Sequence, residues 1–224
     1  MRERIDTLSG PDRDRIIRFD RAERWLHGIN AALVLIVMTT GAVLYFGPLS
    51  GIVGRRVLMR TIHVYCGLLL PFPVIATVAG RGRDGFRRDV ARLTRWTRDD
   101  TRWIRSRGHS GATLGKFNAG QKLNSILMAG VLPVLLMTGA VMHWFSPFPD
   151  SMRTGAEYVH DLGAFAVWIA VTGHILKAIN EPEQLRSMAT GWVPLDWART
   201  HRPRWHDAVV AADERSQTAD IHSE

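Results

Sequence analysis

The chain has 224 residues, a formal net charge of +8 and a single cysteine. One thiol excludes an internal disulfide, a Cys-x-x-Cys-His haem-attachment motif and an iron–sulfur cluster held by this chain alone. The mean hydropathy of -0.05 is that of a soluble protein, but it averages arginine-rich stretches with long apolar runs. Because the positive charge flanks those runs, it indicates membrane topology and not nucleic-acid binding.

Four apolar stretches follow one another along the chain, namely Ile29–Phe46, Ile62–Ala79, Leu123–Phe145 and Val159–Ile179. A helix that spans a bilayer needs about 20 mainly apolar residues, with a range of roughly 17–25, and all four stretches fit. Barrel strands are excluded because they alternate between apolar and polar residues. The sequence therefore predicts an all-α integral membrane protein, a four-helix bundle. The polar residues before the first stretch are unlike a cleavable signal peptide, so we expect that stretch to stay as an anchor.

Lysine and arginine are distributed unevenly among the segments between these stretches. Residues 1–24 contain seven arginines, and residues 81–122 contain twelve lysines and arginines, whereas the two other connections together contain four. The positive-inside rule therefore places both termini and the 81–122 segment in the cytoplasm. We expect a cytoplasmic N-terminal segment of residues 1–24 and a cytoplasmic tail of residues 181–224. The transmembrane domain is expected to be residues 25–180, with the 81–122 segment as its cytoplasmic connection.

Histidines lie at the ends of the predicted helices. His160 and His174 are 14 residues apart on the fourth helix. This separation corresponds to about 1400° of rotation and roughly 21 Å of rise, so the two residues share one face in opposite leaflets. In the predicted topology His160 is outer and His174 is inner. His63, at the outer end of the second helix, can face His160, and His27, at the inner end of the first helix, can face His174.

Neutral imidazole is a common axial ligand of haem iron. The two matched pairs therefore predict two b-type haems, one near each side of the membrane. Taken singly, each histidine is more often an interhelical hydrogen-bonding group than a ligand. A di-metal centre would need its ligands at one depth, usually with carboxylates, and a proton relay would need a chain of intramembrane carboxylates. His143 has no partner at its depth and is interpreted as an interfacial residue.

Around these histidines the sequence resembles the gamma subunit of respiratory formate dehydrogenase, a quinone-reducing di-haem cytochrome b. The matching segments are Arg24–His27, Arg60–His63, Lys116–Lys122, the His160 and His174 pair, and His201–Trp205. Histidine pairs are shared with hydrogenase cytochromes b and other relatives. The Lys-x-Asn-Ala-Gly-Gln-Lys stretch before the third helix is more specific to the formate dehydrogenase branch.

The resemblance implies the same two pairs of haem ligands that the depth argument predicts. It also implies a quinone site beside the inner haem, with Asn118, Gly120 and Gln121 as binding residues next to His174. Amide groups can donate hydrogen bonds to quinone oxygens, and glycine lets the backbone approach a flat ring. A loop followed by a helix start is the simpler interpretation of the same residues.

The resemblance further implies a membrane-anchoring electron-transfer subunit in a bacterial inner membrane. An iron–sulfur beta subunit would pass electrons from a catalytic alpha subunit to the outer haem, and quinone would be reduced on the cytoplasmic side. The chain itself lacks the cysteines and cofactor motifs needed to oxidise formate. Two alternatives remain open. One is a di-haem cytochrome b that serves a hydrogenase or another periplasmic oxidoreductase, and the other is a haem-free anchor that only tethers a partner.

Overall fold

A computed structural model describes residues 5–6, 15–80, 82–108, 114–144 and 146–221. These residues are mostly helical, with three very short strands. In chain order the elements are β1 (Ile5–Asp6), β2 (Arg15–Ile17), α1 (Arg21–Tyr45), α2 (Gly47–Val53), α3 (Arg56–Leu69), α4 (Pro71–Ala79), α5 (Arg83–Thr94), α6 (Arg98–Arg105), α7 (Ala119–His143), α8 (Asp150–Ile179), α9 (Pro182–Thr190), β3 (Trp192–Pro194), α10 (Leu195–His201) and α11 (Pro203–Ile221).

Within the described residues, four helical segments are long and apolar enough to cross a bilayer. They are Arg21–Tyr45, Arg56–Ala79, Ala119–His143 and Asp150–Ile179. Large apolar side chains on these helices are exposed, as Phe165 and Ile169 of α8 are, and hydrocarbon tails are as apolar as the side chains themselves. The four segments correspond to the four predicted stretches, and the chain is an all-α integral membrane protein.

The second span is interrupted, although the sequence predicts one continuous helix there. α3 ends at Leu69, and α4 begins at Pro71. Proline has no N–H to donate to the preceding turn and its ring crowds that turn, so it takes the first position of a new helix. α7 instead continues through Pro133, as membrane helices can when neighbouring groups satisfy the backbone.

The chain divides into two compact units. The helical unit consists of Trp25–Arg83 and Leu127–Leu176, and the terminal unit consists of Met1–Arg24, Asp84–Ile126 and Lys177–Glu224. The helical unit has a small buried core with further half-buried apolar side chains packed around it. The core residues are Val34, Met38 and Val167, and the residues around them are Leu70, Met128, Val131, Leu132, Leu135 and Val171.

The terminal unit contains an antiparallel sheet in the order β1-β2-β3, which the sequence analysis does not predict. Ile16 in the central strand pairs with Ile5 on one side and Val193 on the other. The helices that follow β3 pack on this sheet. Together they bury a core of Ile16, Val193, Ala198, Trp205 and Val209.

Two helices begin with reciprocal side-chain caps formed by residues of the terminal unit. At the start of α1, Glu23 N–H donates to Asp20 Oδ1 and Asp20 N–H donates to Glu23 Oε2, both at 2.8 Å. At the start of α6, Thr97 and Asp100 form a similar capping box. Each box satisfies N–H groups that have no partner within the helix. The helix starts are therefore defined by short-range sequence.

Two lysines that flank the start of α7 are buried and paired with carboxylates. Lys116 Nζ lies 2.7 Å from Asp89 Oδ2, and Lys122 Nζ lies 2.7 Å from Asp100 Oδ2. Burial raises the pKa of the Asp100 carboxyl, but hydrogen bonds from Lys122 and Thr97 outweigh that effect and hold the pKa below its usual range. Loss of one partner from a buried ion pair of this kind lowers the free energy of unfolding by several kcal/mol.

Replacing Asp100 with Asn should destabilise the protein by about 3–5 kcal/mol at neutral pH, because Lys122 keeps a buried charge without its partner. The folded-state pKa of Asp100 is depressed, so its ionised form stabilises the fold at neutral pH. That contribution is lost as the pH falls through the folded-state pKa. The thermal midpoint of D100N in detergent should therefore be lower than that of the parent at pH 7, and the difference should narrow below about pH 4.

Asp84→Asn is the matched control, because Asp84 is an exposed carboxylate in the first turn of α5. At pH 7 this variant should lose much less stability than D100N, because an exposed carboxylate leaves no buried charge behind when it is removed. Equal losses in the two variants would show that the buried pair has no special role.

Candidate functional site

Two pairs of histidines meet in the helical unit. His27 in α1 lies beside His174 in α8, with ring centres 6.2 Å apart and ring planes at 50°. His63 in α3 lies beside His160 in α8, with ring centres 6.2 Å apart and ring planes at 64°. The structure thus brings together the same two pairs that the sequence analysis predicts.

The separation within each pair is the one that a shared metal ion requires. Two imidazoles that bind one metal ion from opposite sides, through bonds of about 2 Å, would have ring centres roughly 6 Å apart. Both pairs have this separation, and in both one ring comes from α8. The separation in each pair thus fits a haem iron bound by both imidazoles, and these four side chains are the ones that would hold it.

Hydrogen bonds around His63 fix which ring nitrogen is free. His63 Nδ1 lies 3.0 Å from the carbonyl oxygen of Val37 and 3.1 Å from Thr40 Oγ1. A carbonyl oxygen only accepts hydrogen bonds, so Nδ1 donates the proton. Nε2 then keeps its lone pair, which is the form of imidazole that binds a metal ion.

His160 has an equivalent environment. Its Nδ1 lies 3.0 Å from Thr138 Oγ1, and it also has a backbone hydrogen bond with Leu135. The Thr138 hydroxyl donates to the carbonyl oxygen of Val134 at 2.8 Å, so its oxygen is left to accept from Nδ1. His160 therefore also presents Nε2 as the free nitrogen.

The two threonines that contact these rings are not predicted from the sequence. Thr40 and Thr138 are ordinary in a membrane helix, where threonine commonly bonds the carbonyl one turn earlier. A signal was nevertheless present, because Thr-Gly-Ala-Val occurs at residues 40–43 and again at residues 138–141. The repeat becomes informative once the structure shows that each copy contacts a histidine.

The predicted quinone residues lie at the start of α7, in the terminal unit. Gln121 N–H donates to Asn118 Oδ1 at 2.9 Å, and Asn118 N–H donates to Gln121 Oε1 at 3.0 Å. Gln121 also donates through Nε2 to Gln184 Oε1 at 2.9 Å. A Cβ at Gly120 would lie 3.2 Å from the Trp103 ring. These residues thus form a capping box and a packing contact, and their role in quinone binding stays a prediction.

The structure also shows the positions of His143 and Cys66. His143 is the last residue of α7, is exposed and contacts the Trp144 ring edge-on, with ring centres 5.2 Å apart. Cys66 is a half-buried free thiol in α3. Neither residue belongs to the two histidine pairs.

Comparisons with known proteins identify the family to which the chain belongs. A family model described as prokaryotic cytochrome b561 matches residues 18–191. The formate dehydrogenase cytochrome b556 subunit of Haemophilus influenzae is 28% identical over 204 residues, which cover 88% of this chain and 84% of the relative.

Two relatives from Escherichia coli align over similar lengths. Its formate dehydrogenase cytochrome b556(fdo) subunit is 28% identical over 217 residues, which cover 91% of this chain and 97% of the relative. Its nitrate-inducible formate dehydrogenase cytochrome b556(Fdn) subunit is 22% identical over 213 residues, which cover 91% and 95% of the two chains. Since the family match covers well over half of the sequence, the chain belongs to the prokaryotic cytochrome b561 family of helical, haem-binding membrane proteins.

Proposed function

We propose that the chain is the membrane cytochrome b subunit of a formate dehydrogenase complex. The relatives that align over most of its length are formate dehydrogenase cytochrome b556 subunits. The observation that carries the proposal is the pair of histidine contacts along one helix, each with ring centres 6.2 Å apart.

Each histidine pair would hold one b-type haem, His63 with His160 and His27 with His174. Bound haem supplies a one-electron redox centre whose properties depend on its axial ligands and their hydrogen bonds. The chain's own contribution is to bring the four imidazoles together in two pairs inside the bilayer. α8 fixes the spacing between the two histidine pairs, because its own two histidines are separated by roughly 21 Å of helical rise.

The direction of electron flow rests on the resemblance to the formate dehydrogenase gamma subunit, and the proposed topology assigns the two sides of the membrane. With both termini and residues 81–122 in the cytoplasm, His63 and His160 lie on the outer side. Electrons would enter there from an iron–sulfur beta subunit bound to a catalytic alpha subunit, and they would leave to quinone at the cytoplasmic side. Quinone reduction that takes up cytoplasmic protons would then build a membrane potential without a proton pump.

Asn118, Gly120 and Gln121 are the proposed quinone-binding residues. The support is the Lys-x-Asn-Ala-Gly-Gln-Lys match, together with the geometry of Asn118. Its Oδ1 accepts the capping bond from Gln121, and the cap makes no use of its NH2 group. An amide NH2 can donate to a quinone oxygen, so the cap and the binding role are compatible in one side chain.

Haem analysis tests the histidine pairs. Pyridine haemochrome assay of the purified protein should give about two haems per chain. His63→Ala and His160→Ala should each remove the same haem, and His27→Ala and His174→Ala should each remove the other. The difference spectra of the variants show which haem remains.

His143→Ala is the control for this series, since His143 lies outside both pairs, and it should keep both haems. If His63→Ala and His160→Ala leave spectrally different haems, the pairing is wrong. A wild-type chain without haem would reject the electron-transfer function and favour a simple anchor.

Reporter fusions test the topology. A reporter that is active only in the periplasm should be active when fused after Gly54, in the sparsely charged connection, and silent when fused after residue 224. A reporter that is active only in the cytoplasm should show the reverse pattern. If both results are inverted, the outer and inner assignments of the histidine pairs exchange.

Two variants of Asn118 separate quinone binding from helix capping. Asn118→Ser keeps an oxygen that can cap α7 but lacks the NH2 group, whereas Asn118→Leu loses both. Loss of one hydrogen bond to the quinone should slow quinone reduction by roughly 2- to 10-fold in the serine variant. Haem spectra, and haem reduction by formate in the purified complex, should stay normal.

Asp196→Ala provides the control, because it removes the hydrogen bond that Asp196 Oδ1 accepts from Trp197 N–H at the start of α10, outside the motif. It should lower the thermal midpoint and leave the rate of quinone reduction unchanged. Normal quinone reduction in both Asn118 variants would leave the motif with its capping role alone. A purified complex that reduces quinone from a donor other than formate would keep the cytochrome role and reject the formate assignment.

A further inference from the structure

Each ring of the His63 and His160 pair rests against a threonine–glycine step of a neighbouring helix. A Cβ added to Gly41 in α1 would lie 3.2 Å from His63 Cε1, and one added to Gly139 in α7 would lie 3.3 Å from His160 Cε1. Both distances are tighter than ordinary packing allows. The glycines therefore make room for the imidazoles, while the preceding threonines contact Nδ1.

The two contacts are alike in detail although they lie on different helices. The threonine precedes the histidine by 23 residues in one case and 22 in the other. In both cases the ring also bonds the backbone of the residue three positions before the threonine, which is Val37 or Leu135. Two independent copies of one arrangement indicate a shared physical role.

We propose that Thr40–Gly41 and Thr138–Gly139 are positioning elements that orient the imidazoles of His63 and His160 and lower the redox potential of the centre they ligate. This inference rests on the proposed haem ligation. Donation from Nδ1–H to an oxygen raises the basicity of Nε2. A more basic ligand stabilises oxidised iron relative to reduced iron, and second-shell hydrogen bonding is one of the means by which proteins set a haem potential.

The glycines contribute to the same positioning of the imidazole rings. Because glycine has no Cβ, the ring edge that carries Cε1 fits against the helix. The hydrogen bonds of Nδ1 hold the ring at one angle. Alanine at Gly139 would push on Cε1, so the ring would tilt away from its Nδ1 partners. The orientation of His160 is thus fixed by the hydrogen bonds of Nδ1 and by the packing of Cε1 against Gly139.

A neighbouring residue shows what a threonine without this role looks like. Thr39 in α1 is exposed and donates to the carbonyl oxygen of Leu35 at 2.8 Å, as threonine in membrane helices commonly does. Thr40 makes the corresponding bond to Ile36 at 2.7 Å and in addition reaches His63. Thr39 is therefore a matched control on the same turn.

Redox titration of the purified two-haem protein tests the proposal, with the haem of the His27 and His174 pair as an internal reference. Thr40→Val and Thr138→Val should raise the midpoint potential of the haem between His63 and His160. At a fixed ambient potential, its ratio of reduced to oxidised form should increase several-fold. Thr138→Ser, which keeps the hydroxyl, should return the potential to the parent value, and Thr39→Val should leave both potentials unchanged.

Low-temperature electron paramagnetic resonance supplies a second readout. Gly139→Ala should shift the low-spin signal of the same haem, because the ring angle changes. Loss of that haem in Thr138→Val, but not in Thr138→Ser, would also support the proposal. Unchanged potentials in both valine variants that keep two haems would overturn it while leaving haem ligation intact. Equal shifts in Thr39→Val and Thr40→Val would overturn it as well.

Discussion

The placement of both histidine pairs depends on a single helix. α8 carries His160 and His174 fourteen residues apart, which is close to four helical turns, so both point toward the same side of the bundle. A polar ring in hydrocarbon must find a partner, and this condition fixes where α1 and α3 have to cross α8. His27 and His63 meet the requirement from two different helices, at two levels of the bilayer.

The terminal unit combines its apolar core around Ile16 and Val193 with a different kind of interaction, namely buried charge. Burial lowers the pKa of Arg18 to about 9 and that of Arg202 to about 10, so both remain cationic at neutral pH. Arg18 donates to the carbonyl oxygen of Lys116, and Lys116 in turn pairs with Asp89. This chain of contacts ties β2 to the segment that leads into α7. The arginines and lysines from which the membrane topology is predicted therefore also organise a folded unit.

Hydropathy and residue spacing are sufficient to predict the four spans and the histidine pairs. Hydropathy locates the spans, and a spacing of 14 residues places two histidines on one face of a helix. The sheet escaped prediction because strands of two or three residues leave no alternating pattern. The break at Pro71 depends on which backbone groups find other partners, which hydropathy does not report. Asn118 and Gln121 illustrate a further limit, since a capping box and a ligand site can use the same residue types. Thr40 and Thr138 were indistinguishable from other membrane threonines until their contacts were known.

The two Thr-Gly-Ala-Val segments belong to two pairs of helices, α1 with α3 and α7 with α8, which we call hairpins. In one, α1 supplies the threonine and glycine and α3 the histidine; in the other, α7 supplies the threonine and glycine and α8 the histidine. Each hairpin thus contains a complete half of the His63 and His160 pair. A homodimer of either hairpin with two-fold symmetry would contain the whole pair and would make a minimal scaffold for one b-type centre. The His27 and His174 pair lacks this modularity, since it combines the first helix of one hairpin with the second helix of the other.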